Sequence, residues 1–199
     1  MSNIPQLLLA AGSSTRMKQP KQLLSWGNKT LIEHQITTLL KTDQEVIVVL
    51  GAYADKILPI IKELPITIFI NNNWTNGMGN SIAFGIKMIS EIFFNVDGVL
   101  ISLVDQPLIN TKHLKRMLNS FQPSKKQIIM SRSSIGWDGV PVLFDSYYFK
   151  ILQTLKGEQG AKRIFNKEIN KIKYIDAGDL LIDIDTPDVY EKMIIKKNK

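Results

Sequence analysis

Cysteine is absent from the 199 residues, which rules out disulfides, thiolate metal sites and a cysteine nucleophile. That fits a reducing compartment, and a cytoplasmic protein is the expectation. No apolar run approaches the roughly 18 residues that a membrane span needs. The one near the N-terminus, Leu7 to Ala11, has no positive region before it, so no signal peptide is expected. No Gly/Ser-rich or Pro-rich linker and no repeat of fixed period divides the chain, so a single domain over residues 1–199 is expected. G-x-x-x-x-G-K-[ST] is missing, as is G-x-G-x-x-G in the first turn, which disfavours P-loop enzymes and dinucleotide oxidoreductases. Without H-E-x-x-H or G-x-S-x-G, hydrolases lack support, and His34 and His113 read as structural or surface residues.

What is present suffices for one well-buried core, at 44% hydrophobic content. The net charge is +7, part of it in a solvated tail carrying Lys192, Lys196, Lys197 and Lys199. No basic stripe interleaved with aromatics appears, so neither nucleic acid nor membrane is expected as a partner; the charge suits polyphosphate ligands.

Leu7-Leu8-Leu9 reads as a buried strand running into Ala10-Ala11-Gly12-Ser13, with Arg16 and Lys21 just beyond. Small residues let backbone N–H groups approach an anion closely, and the two bases would neutralise it. Further on, Thr30-x-x-Glu33 has capping-box spacing ahead of a helix. Val46 to Leu50 reads as a strand buried on both faces, Ala54 to Glu63 as a helix interrupted or kinked by Pro59, and Ile66 to Ile70 as a third strand. This alternation predicts an α/β fold with a mostly parallel sheet.

The polar segment Asn71 to Ser81 precedes a helical repeat of Ile82, Ile86, Ile89 and Phe93. Asn80-Ser81 thus lies near a helix N-terminus, where Ser81 either caps the helix or meets a ligand. The strand Val99 to Val104 ends at Asp105-Gln106-Pro107, and Asp105 either caps a loop or ligates a hard cation at the ligand-binding edge of the sheet. Thr111 to Phe121 reads as a helix and Gln127 to Ser131 as a strand; Val142 to Phe144 re-enters the sheet, and Gly157 to Lys162 opens a helix, with Lys162 or Arg163 able to meet an anion. Leu181 to Asp185 is expected to end the sheet, with Asp183 and Asp185 on one strand face and Thr186-Pro187 opening a helix.

Leu9-Ala10-Ala11-Gly12-x-x-x-Arg16-Met17 with Pro20-Lys21 resembles the signature of the MobA/MocA-like nucleotidyltransferases, and within them is most similar to the molybdenum cofactor cytidylyltransferases. Four further segments match in order: Asn72 to Ser81, Asp105-x-Pro107, Gly139-x-Pro141-x-Leu143-Phe144 and Asp183-Ile184-Asp185-Thr186-Pro187. The resemblance implies a Rossmann-like three-layer sandwich of the GT-A type. It implies a nucleotide held by Leu9, Ala10, Ala11, Gly12, Ser13, Lys21, Gly79, Ser81 and Asp105, with Arg16, Lys21 and Asp105 catalytic. Mg²⁺ would be held by Asp105 and Asp185, with Asp183 as the alternative ligand. CMP would pass from CTP to molybdopterin, for a molybdenum hydroxylase or its maturation factor. Guanylyltransferase relatives carry Gly-Gly where this chain has Ala10-Ala11, whose methyls narrow the base pocket and favour a pyrimidine. Two departures stand out: Gln106 where Met is common, and Val140 where the cytidylyltransferases commonly place His. Competing expectations are a GTP- or other NTP-dependent transferase acting on a sugar or polyol phosphate, a non-catalytic nucleotide-binding accessory protein, and a GT-A glycosyltransferase.

Overall fold

Near-continuous apolar runs in the sequence become the central strands of one sheet, because each is covered on both faces. The computed structural model describes residues 2–158 and 160–197. In chain order come β1 (Gln6–Ala10), β2 (Ser25–Trp26), β3 (Lys29–Thr30), α1 (Leu31–Leu40), β4 (Val46–Leu50), α2 (Ala54–Ile61) and β5 (Thr67–Ile70). Then follow α3 (Met78–Ile92), β6 (Gly98–Leu103), α4 (Thr111–Asn119), β7 (Ile128–Ser133) and β8 (Asp138–Asp145). The chain closes with α5 (Phe149–Leu152), α6 (Lys162–Lys167), β9 (Ile172–Gly178) and α7 (Pro187–Lys197).

Seven strands form the sheet in the order β5-β4-β1-β6-β8-β7-β9. Among the described residues β8 alone runs against the others, antiparallel to both β6 and β7. Alternate side chains of each strand face opposite layers. Leu8, Val48 and Leu100 pack with Ile36, Ile57 and Leu114 of α1, α2 and α4. Leu7, Leu9, Val49 and Ile101 pack on the other face with Ile82, Ile86, Leu152 and Ile164 of α3, α5 and α6. The expected three-layer sandwich with a mostly parallel sheet is what forms.

Local expectations fare unevenly. Thr30 and Glu33 form the capping box, with Glu33 Oε2 accepting from the Thr30 N–H at 2.8 Å. Thr186 Oγ1 accepts from Val189 N–H at 3.4 Å, with Pro187 opening α7. Pro59 does not interrupt α2, which runs on to Ile61.

The segment Leu181 to Asp185 is not a strand; the sheet ends instead at β9, paired with β7 alone. Leu181 and Ile184 are drawn into two different clusters, and the Ile184 N–H goes to the Asp105 carbonyl at 2.8 Å rather than into a ladder. Ile175 and Ala177 are buried between exposed Lys173, Asp176 and half-buried neighbours, the alternation of an edge strand. The hairpin β2–β3 turns on Gly27-Asn28, with Gly27 at φ 70°. It joins Met17, Leu31, Ile184 and Met193 in a third cluster that holds α7 against the loop after β1. In the basic tail, the Lys197 ammonium lies over the Trp26 ring at 4.7 Å, so it is not merely solvated. Lys199, and Gln159 within the Gly157 to Lys162 segment, lie outside the described residues.

Candidate active site

Parallel strands β1, β4 and β6 end at one edge of the sheet, so the loops that follow them converge there. After β1, four consecutive carbonyls are claimed by the protein. The Gln22 amide donates to Ala10 O at 3.0 Å and Gly12 O at 2.9 Å; Ala52 N–H donates to Ala11 O at 3.1 Å, and Tyr53 Oη–H to Ser13 O at 2.9 Å. A Cβ on Gly51 would lie 2.6 Å from Ala11 O, so only glycine lets β4 end this close to the loop. Among the described residues the amides of Gly12, Ser13 and Ser14 meet no acceptor. A run of such amides forms an anion-binding concavity.

Ser14 takes the left-handed conformation (φ 53°), and its Oγ accepts from Lys21 N–H at 3.1 Å. Lys21 then sends its ammonium to Asp105 Oδ2 at 2.6 Å and Asp185 Oδ1 at 3.0 Å, 84 and 164 residues away. Burial alone would weaken the ammonium, yet Asp105 and then Asp185 outweigh it and hold the Lys21 pKa above the ordinary lysine value. Arg16 pairs with Asp185 Oδ2 at 3.0 Å; its side chain is 69% exposed against 14% for Lys21.

Asp183 faces the same cavity but is held by a neutral donor, Gln106 Nε2, at 2.9 Å. Burial and then the charge of Asp105 push its carboxyl up to about 6, against the Gln106 hydrogen bond. Gln106 itself is fully buried and its carbonyl accepts from Gln35. Asp183 and Asp185 therefore reach one cavity without sharing a strand face, because Ile184 is fully buried and pins the backbone between them.

On the opposite wall, Gly77 rather than Ser81 is the N-cap of α3. Ser81 Oγ accepts from the buried Asn71 Nδ2 at 3.2 Å, which leaves its hydroxyl hydrogen to donate elsewhere. The cavity, about 670 Å³, is lined by Leu9, Ala10, Ala11, Gly12, Ser13, Arg16, Lys21, Ser81, Asp105, Asp183 and Asp185. Gly79 does not line it: its N–H is bonded to Gly157 O at 2.8 Å, and a Cβ there would strike Lys156. A second cavity of about 540 Å³ shares Leu9, Met78, Leu103 and Asp183, and is walled by Trp137, Val140, Phe165 and Tyr174. Lys162 lines this second space and Arg163 does not.

Sequence reasoning gave no site role to Gln22, Tyr53 or Asn71. Gln22 carried a signal, being a polar residue between Lys21 and two leucines; the partners of Tyr53 and Asn71 are set only by the fold.

Among the described residues no three His, Cys, Asp or Glu side chains are gathered to chelate an ion unaided. Asp105 Oδ1 is nevertheless buried with no hydrogen-bond partner. Mg²⁺ is usually held by one or two carboxylates together with phosphate oxygens and water. Asp105 and Asp185 fit that requirement.

Similarity to known proteins gives the family and the fold. The chain is 30% identical over 183 residues to nicotine blue oxidoreductase of Paenarthrobacter nicotinovorans, covering 87% of this chain and 86% of that one. It is 26% identical over 196 residues to purine catabolism protein PucB of Bacillus subtilis, covering 93% of each. Its fold matches Rv0371c of Mycobacterium tuberculosis H37Rv over 98% of both chains, with TM-score 0.86 at 21% identity, and the manganese complex of Rv0371c, again over 98% of both, with TM-score 0.82 at 20% identity. Residues 6–172 match the MobA-like NTP transferase domain, and with two bases after the first strand facing acids from two later segments, the chain belongs to the MobA-like nucleotidyltransferases.

Proposed function

We propose that the protein transfers CMP from CTP to a phosphorylated acceptor, molybdopterin, with Mg²⁺ as cofactor and pyrophosphate as the second product. The observation that carries this reading is Lys21 within 2.6 Å of Asp105 and 3.0 Å of Asp185, beside three free loop amides. Those groups together are what a metal-bound triphosphate needs. Positioning and electrostatics dominate such transfers.

The amides of Gly12 and Ser13 take up phosphate oxygens, and Lys21 and Arg16 stabilise charge on the α-phosphate and on departing pyrophosphate. Asp105 and Asp185 would hold Mg²⁺, with Asp183 alongside, and the ion would supply neutralisation of charge on the phosphate oxygens. An oxygen of the acceptor phosphate forms a bond to the α-phosphorus. The anhydride bond to the β-phosphate breaks, and pyrophosphate leaves with its electron pair. Ala11, buried on the α3 side of the sheet and on the cavity wall, favours the smaller pyrimidine base; the Ala10 methyl packs into the opposite layer and does not narrow that space. The second cavity, walled by Trp137, Phe165 and Tyr174, suits a flat ring system on the acceptor. A manganese complex of the similarly folded Rv0371c is in keeping with a divalent ion here. The product would serve a molybdenum hydroxylase, directly or through its maturation factor, in the cytoplasm.

A pyrophosphate-release screen of CTP, GTP, ATP and UTP against molybdopterin and a panel of sugar and polyol phosphates tests the proposal. CTP with molybdopterin should give the highest rate. Faster release with GTP reverses the choice of base, and faster release with a sugar phosphate reverses the acceptor. Nucleotide binding without any release would make the protein a binding accessory rather than an enzyme.

A further inference from the structure

Lys21 stands between two acids that would otherwise face each other unneutralised. Its ammonium engages Asp105 Oδ2 and Asp185 Oδ1, while Arg16 engages Asp185 Oδ2. Both oxygens of Asp185 and one of Asp105 are thus already satisfied by the protein's own cations. The remaining oxygen, Asp105 Oδ1, is buried and has no hydrogen-bond partner. Asp183 differs, since its partner is the neutral Gln106 amide. A divalent ion entering between Asp105 and Asp185 would meet a resident ammonium at the same oxygens, and the two cations repel in a partly buried, weakly screened place.

The ammonium has somewhere else to go. Lys21 is anchored at its backbone by Ser14 Oγ, at the end of the loop whose Gly12, Ser13 and Ser14 amides are free. Its four-carbon stem can swing while the backbone stays put. A polyphosphate on that loop supplies it with new anionic partners and so releases the carboxylates.

On the nucleotide-and-metal reading given above, we infer that Lys21 is the placeholder cation of the acid pair, excluding a divalent ion until a polyphosphate draws it away. Metal and nucleotide therefore bind as a coupled pair. The coupling is reciprocal: each raises the affinity of the other by the same factor.

The test is titration of Mn²⁺ into the intact protein, alone and with α,β-methylene-CTP, corrected for Mn²⁺–nucleotide complexation and read by calorimetry and by loss of the free Mn²⁺ resonance signal. In the wild type, Mn²⁺ should bind at least ~10-fold more tightly with the analogue than without. Lys21→Met should bind Mn²⁺ alone at least ~10-fold more tightly than wild type, and its coupling to the analogue should fall by a similar factor. Lys21→Gln, of similar length and able to bond either acid, provides the same comparison should Lys21→Met fold poorly. Unchanged or weaker Mn²⁺ binding in a folded variant, with wild-type coupling intact, overturns the placeholder role and leaves the proposed function standing. Wild-type Mn²⁺ binding as tight alone as with the analogue overturns it without any variant. Failure of the wild type to bind Mn²⁺ or the analogue in any combination removes both proposals.

Discussion

The Gln106 side-chain amide donates to Asp183 Oδ1 at 2.9 Å, one residue along the chain from Asp105. The residue that departs from the common sequence pattern thus holds the one acid of the cluster that no base engages. Replacing Gln106 by Met keeps the volume and removes the donor. The variant should lose about 0.5–1.5 kcal/mol, the net range for a hydrogen bond, in urea unfolding. The Asp183 carboxyl should also move further above its value of about 6, since the Gln106 hydrogen bond, ahead of the charge of Lys21, is the larger influence pulling it down. A carbon-13 NMR titration of Asp183 that shows no upward movement would refute the assignment.

Lys21→Ala and Asp105→Ala should each lower kcat/KM for pyrophosphate release by at least ~100-fold, the scale of losing one charge-stabilising group in a transition state. A folded variant with near-normal turnover on the true substrates would remove that residue from the chemistry.

Gln22 fastens two loop carbonyls from within, and the loop amides face outward as a result. Gln22→Leu should weaken binding of a CTP analogue by roughly 10- to 100-fold, because each carbonyl left unpartnered costs about 1–3 kcal/mol and is free to turn toward the phosphates. A lower melting temperature with unchanged nucleotide affinity would show that Gln22 serves stability only.

The proposed preference for CTP rests on the Ala11 methyl at the cavity wall. Ala11→Gly should lower the ratio of CTP to GTP affinity by about 10-fold or more, the range for methyl-sized discrimination. An unchanged ratio measured by competition calorimetry would place selectivity elsewhere in the cavity.

His113 is almost fully buried, and burial with nearby Arg116 lowers its pKa from 6.5 to about 4. In this case the unfolded chain binds the proton more readily than the folded one. The stabilisation is complete above about pH 6.5 and is lost as pH falls toward 4, by up to about 3 kcal/mol. Asp183 acts with the opposite sign over part of that range, because its folded pKa is raised. Its contribution cancels in the difference between wild type and His113→Gln, so the stability of the wild type relative to the variant should fall as pH drops from 6.5 toward 4. Parallel stability curves for the two proteins would contradict the buried neutral histidine.

Much of this molecule is written locally in its chain. Val46 to Leu50 is apolar without interruption and Gly98 to Leu103 is broken by Ser102 alone, the pattern of strands covered on both faces, and Thr30 and Glu33 announce a helix start through their own hydrogen bonds. The small-residue turn with Arg16 and Lys21, and the acids at 105, 183 and 185, were equally visible as candidates. Local pattern could not supply the reversed direction of β8, the edge strand β9 or the irregular course of Leu181 to Asp185. Those depend on which neighbours offer free backbone groups, and Ile184 bonds to Asp105 because the rest of the chain places that carbonyl there. Residue types therefore determined which side chains could carry charge chemistry. Tertiary structure alone decided that Lys21 meets two acids 84 and 164 residues away, because attraction at 2.6 and 3.0 Å requires packing to bring distant segments to one sheet edge.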